Sequence, residues 1–208
     1  MQSGLLIATC VVCVVAVVWW LSRREYFAVD KNGISYNVLP APDYMLAAER
    51  LAVTNEKILT FLVYLKKKYS IGTLPTKPPT NRAEDIADRV LSNYNTEMLF
   101  ETEPTGAEGT SYTVDKGKEL HMCVRRKHDR TLHTVDELVF VALHELAHMG
   151  NPTWGHEADF WEVFKFLLIE AHASGIHVPT DYSISPLVYC GLTVGYNPYF
   201  DSRVKNVV

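Results

Sequence analysis

The chain has 208 residues, a formal net charge of −4, 48% hydrophobic residues and 21% charged ones. This is enough for one folded domain with accessory segments, in an ordinary globular composition. The acidic balance argues against a general nucleic-acid partner, and the basic runs Lys66-Lys67-Lys68 and Arg125-Arg126-Lys127 read as solvated surface.

Residues 4–21 (GLLIATCVVCVVAVVWWL) carry no charge. As a helix they would span about 27 Å, close to the hydrocarbon thickness of a bilayer. Trp19 and Trp20 sit at one end and Arg23-Arg24 follow, the reverse of the charge order in a cleavable signal peptide. The expectation is a retained single-pass transmembrane anchor over residues 1–24, with the body on the cytoplasmic side. Cys10 and Cys13 in this run read as lipid-facing or acylated. Cys123 and Cys190 read as two free thiols suited to a reducing compartment, or as one bridge if the topology is inverted.

Residues 25–42 end in Leu-Pro-Ala-Pro and read as a juxtamembrane linker, leaving 43–208 as the main domain. Asp43 is expected to cap a helix to about Tyr69, with Leu51, Ile58, Leu62 and Leu65 recurring at helical spacing. After the Pro-rich break at 72–81, a short helix is expected near 82–93, with Ile86, Val90 and Leu91 inward. Residues 101–109 read as loop. Residues 110–126 read as a β-hairpin in which Leu120, Met122 and Val124 alternate with His121, Cys123 and Arg125, giving one apolar and one polar face.

The next helix has the strongest signals. Thr134 followed three residues later by Glu137 forms a capping box, residues 138–143 are apolar all round, and Gly150 with Pro152 predicts a left-handed stop. A further helix runs from about His156 to before Gly175, with Phe160, Phe164, Leu167, Leu168 and Ala171 as its apolar stripe. Short β-like pieces follow at 187–189 and 192–194.

His144, Glu145 and His148 form HExxH inside the apolar helix, where unpaired polar groups are costly and a metal would supply the missing partner. Two imidazoles one helical turn apart suit tetrahedral zinc, and a catalytic site needs a third protein ligand and an open position. His156 is the expected third ligand; Glu162 or Glu170 from the following helix is the alternative. Glu145 is expected to act as general base rather than ligand. His121, His128, His133, His172 and His177 read as surface or satisfied polar residues. Tyr182, Tyr189 and Tyr196 are candidate donors to an oxyanion and, individually, ordinary packing tyrosines.

The stretch VALHELAHMGNPTWGHEADFW at residues 141–161 resembles the WLM and SprT-like zincin metallopeptidases. The resemblance implies an α+β zincin-like domain, with the HExxH helix packed on a small sheet or hairpin, Zn2+ as cofactor and protein or peptide as substrate. His144, His148 and His156 match the ligand positions, Glu145 the general base and Phe160 a trailing aromatic. The insertion of Asn-Pro-Thr-Trp before His156 differs from the common WLM spacing, and the DNA-linked substrates of soluble members are not carried over. Membrane-anchored versions of this kind look like those encoded by large DNA viruses. Two functions compete on this reading: a membrane-anchored zinc metalloendopeptidase, and a non-catalytic membrane or virion structural protein with a structural zinc site.

Overall fold

The computed structural model describes residues 26–69, 81–103 and 110–208. The chain begins with an antiparallel hairpin, β1 (Phe27–Lys31) and β2 (Ile34–Val38). Asn32 and Gly33 form its turn with φ of 55° and 80°, the backbone that an Asn-Gly hairpin turn requires. These residues fall in the stretch expected to be a linker. The Asn-Gly signal outweighs the prolines that suggested an open connection, and Val29, Tyr36 and Val38 enter the core.

Helix α1 (Tyr44–Lys68) buries Leu51, Ile58, Leu62 and Leu65, and α2 (Arg82–Asn93) buries Ile86 and Val90, as helical spacing predicts. Asn81 caps α2 by accepting from the backbone N–H of Glu84. Asp43 precedes α1 without capping it through its side chain, because its carboxylate is drawn instead to Arg125.

Strands β3 (Leu99–Glu101), β4 (Tyr112–Val114) and β5 (Glu119–Met122) complete a five-stranded mixed sheet in the order β1-β2-β3-β5-β4. β3 runs parallel to β2 and β5, and β4 runs antiparallel to β5 as the terminal strand. The expected polar face of β5 is not solvated. His121 is sandwiched between the rings of Phe100 and Tyr112, at 4.7 and 4.5 Å. Arg125, expected on solvated surface, is only 1% exposed; it pairs with buried Glu101 at 2.7 Å and with Asp43. Glu101 also accepts the Leu39 N–H at 2.8 Å, so the buried charges partner one another.

Helix α3 (Val135–Gly150) starts with the Thr134–Glu137 capping box and runs through the molecular centre, packed on α1, α2, β4, β5 and α4 (Ala158–Ala173). Residues 138–143 are all buried. Gly150 ends α3 for a reason other than the expected one. It remains helical, and a Cβ there would lie 3.0 Å from Val90 and 3.1 Å from Ile86, so a side chain at this position would crowd α2. A second antiparallel hairpin, β6 (Leu187–Tyr189) and β7 (Leu192–Val194), and a short 3-10 turn at Pro198–Phe200 follow.

Among the described residues the fold is α+β with four α-helices, and none of them is long and apolar enough to cross a membrane. The expected transmembrane helix, and the single-pass cytoplasmic placement built on it, therefore find no support among the described residues. The α helices here are amphipathic or wrapped by protein, and their apolar residues are spent on one shared core. Residues 4–21, on which that expectation rested, lie outside the described residues.

Candidate metal centre

Two neighbouring turns of α3 present His144 and His148 on one face, because residues four apart stack on a helix. The loop after α3 turns back through Gly155, at φ 89°, and delivers His156 opposite them. The three imidazoles converge: one ligand nitrogen from each lies within 4.8 Å of the others, and Nε2 of His144 and Nε2 of His156 are 3.0 Å apart. Nitrogens bound at about 2.0–2.1 Å in a tetrahedron sit about 3.3 Å apart, so this donor set fits one divalent ion.

Phe160, fully buried in the first turn of α4, is the platform beneath the trio. Its ring centroid lies 4.9, 4.4 and 4.6 Å from those of His144, His148 and His156. Burial, then the adjacent His148 and His156 rings, pushes His144 down to about 3. Burial, His156 and Lys116 bring His148 down to about 4, and burial also lowers His156. All three are therefore neutral near pH 7, with lone pairs available to a metal. Glu145, 4% exposed, has its carboxyl pushed up to about 8 by burial. A carboxyl raised by apolar surroundings is the kind of group that moves protons near neutral pH.

The two acidic alternatives lie elsewhere. Glu162 pairs with Arg82, and buried Glu170 is held by Lys68 at 2.7 Å and by the Tyr64 hydroxyl at 3.0 Å. His133 and His177, expected at the surface or satisfied, are buried. His133 Nδ1 meets Glu137 at 3.0 Å, and neither ring nitrogen of His177 has a hydrogen-bond partner.

The trio opens onto a cleft of about 660 Å³. Terminal strand β4 forms one wall and β7 the other, with Phe140 and Val141 at the back. Tyr189 and Tyr196 line it, whereas Tyr182 is buried edge-on against Phe140 at 4.8 Å. Burial is the main cause that raises the Tyr189 phenol, and the Glu145 charge adds to it.

Sequence reasoning left open how the second wall is held. Cys123 and Cys190 form a disulfide, Cα–Cα 6.2 Å, which ties the end of β5 to the β6–β7 turn. Of the two readings left open for Cys123 and Cys190, free thiols or a single bridge, the structure shows the bridge. Their alternation and spacing gave no cue, because the partners are 67 residues apart. Ser111 and Lys116 also line the cleft without having been singled out; neither carries a local motif.

No family model matches the chain, and no solved structure matches it, so no solved zincin supports the expected zincin-like fold. Three viral proteins are similar to it. Uncharacterized protein R325 of Acanthamoeba polyphaga mimivirus is 30% identical over 188 residues, covering 88% of this chain and 91% of that protein. Uncharacterized protein 136R of Invertebrate iridescent virus 6 is 28% identical over 122 residues, 55% of this chain and 68% of that protein. Uncharacterized protein 042R of Invertebrate iridescent virus 3 is 37% identical over 84 residues, 39% of this chain and 50% of that protein. With that identity sustained along nearly the full length of both chains, the protein belongs to the family of mimivirus protein R325.

Proposed function

We propose that the protein is a zinc-dependent metallopeptidase, with His144, His148 and His156 as ligands and Glu145 as general base. The observation that carries this reading is the convergence of three neutral imidazoles at the floor of an open cleft, beside a buried carboxyl on the same helix. His144, His148 and His156 would hold a zinc ion, which would lower the pKa of a bound water to near 7 and polarise a carbonyl.

The remaining work falls to the chain. Glu145 takes the proton of the attacking water and returns it to the leaving amine, a transfer suited to a carboxyl whose pKa lies near the working pH. Among the described residues β4 has β5 as its one sheet neighbour, so its outer backbone can take an extended peptide as an added strand beside the trio. Tyr189 and Tyr196 line the same cleft and are the candidate donors to a developing oxyanion. The likeness of residues 141–161 to WLM and SprT-like metallopeptidases supports the same assignment.

The test is zinc analysis and peptide hydrolysis with Glu145→Gln. The variant is expected to keep one zinc per chain and lose hydrolysis by at least 100-fold. If zinc serves only to staple the fold, His144→Ala unfolds the chain and Glu145→Gln changes nothing measurable, which rules the enzyme out.

A further inference from the structure

His156 is the one ligand that α3 does not carry, and its exposed loop has little core of its own. Pro152, Thr153, Trp154 and Gly155 are all exposed, Trp154 to 73%. Thr153 Oγ1 donates to Asp159 at 2.8 Å, and Asn151 Nδ2 to Thr153 Oγ1 at 3.0 Å; the backbone of this loop is held from across the cleft. The β4–β5 turn reaches the C-terminal end of α3, and Lys116 Nζ there donates to the carbonyls of both Asn151 and Thr153, the latter at 3.0 Å. The same ammonium lies 4.9 Å from the centre of the Trp154 ring.

Each contact has a physical reason. The last carbonyls of a helix and the residue after it lack partners, and the helix dipole places partial negative charge there. An ammonium satisfies both needs at once. Trp154, exposed on its other side, gains a cation over its ring face. The turn that supplies Lys116 is itself fixed: Asp115, Lys116 and Gly117 have φ of 45°, 56° and 115°, and a Cβ on Gly117 would lie 2.5 Å from the Asn93 carbonyl oxygen. Only Trp154 and Gly155 separate the pinned Thr153 from His156.

We propose that Lys116 is a positioning residue for the metal centre: by clamping the 151–154 backbone and Trp154, it sets where His156 stands relative to His144 and His148. The inference rests on the trio holding a metal. It also means that the strand forming one cleft wall and the loop completing the ligand set are located by a single turn.

The experiment measures zinc affinity of the full chain by competition with a chromophoric chelator near neutral pH. Lys116→Met is expected to weaken zinc binding by about 10–100-fold, the usual range for groups that orient ligands from behind. Lys116→Arg, which keeps the charge and the donors, should recover most of that loss. Lys118→Met, in the same turn but with its side chain 69% exposed, should bind as wild type. Should Lys116→Met prove poorly folded, Lys116→Gln retains a donor without the charge, and an intermediate loss is expected for it. Wild-type affinity in both Lys116→Met and Lys116→Gln overturns the inference alone. A wild-type chain that takes up no zinc removes the metal centre and the inference with it.

Discussion

The hydroxyls of Ser111 and Tyr189 meet at 2.8 Å, joining the residue just before β4 to the hairpin that forms the facing wall. Ser111 Oγ also accepts the Cys123 N–H at 3.0 Å, and the Tyr189 ring lies 4.6 Å from that of buried His133. Tyr189→Phe keeps the packing and removes one buried hydrogen bond, a loss of about 1 kcal/mol. For a chain of this size that corresponds to a fall in Tm of about 2–4 °C, readable by calorimetry. No change in Tm would show that the two walls are not joined there.

The disulfide is a stronger tie in the same region. Closing a loop of 67 residues in the unfolded chain stabilises the fold by about 4 kcal/mol on the chain-entropy model. Denaturant unfolding of the Cys123→Ser/Cys190→Ser double variant should reveal that difference, and wild type in a dithiol reductant should match the variant. Equal stability of oxidised and reduced protein contradicts the bridge.

The buried Arg125 carries a different dependence. Its guanidinium is 1% exposed and balanced by Glu101, itself 0% exposed, so Arg125→Met strands an uncompensated buried carboxylate. A cost of about 3–5 kcal/mol is expected. Removing both charges in Arg125→Met/Glu101→Leu should be less damaging than the single change, and a simple sum of the two losses would refute the pairing.

His177 makes stability depend on acidity. Burial holds it down to about 4, with Asp136 opposing and Lys57 and His172 adding to the depression. The unfolded ring titrates near 6.5, so below that pH the unfolded chain binds a proton that the folded chain refuses. The contribution is intact above about 6.5 and is lost as pH falls towards 4, up to tenfold in the folding constant per pH unit. The gap in stability between wild type and His177→Phe should therefore change over that window and be flat above it; a flat gap throughout would mean that the ring is solvated.

The parts legible in the sequence are those written locally. The capping box, the all-apolar turns of α3 and the i, i+4 histidines are each contained within a few residues, and the structure places them as their spacing predicts. The β1–β2 hairpin was equally local, since Asn32-Gly33 lies between alternating residues, but the prolines at 40 and 42 drew the reading towards a linker. What stayed hidden depends on tertiary partners. Nothing near Arg125 announces Glu101, nothing near Cys123 announces Cys190, and Asp43 forgoes capping for a guanidinium 82 residues away. Burial of His121, His133 and His177 is likewise a property of what packs over them.

The bridge between Cys123 and Cys190 separates two stages in the making of the site. The imidazoles of α3 and its following loop meet with no covalent tie to the C-terminal hairpin, whereas the facing wall is fastened to the end of β5 only after an encounter with an oxidant. On the proposed function, chains produced under reducing conditions are expected to load metal while gripping peptides poorly, a mismatch that a single purification in the presence and absence of thiol would expose.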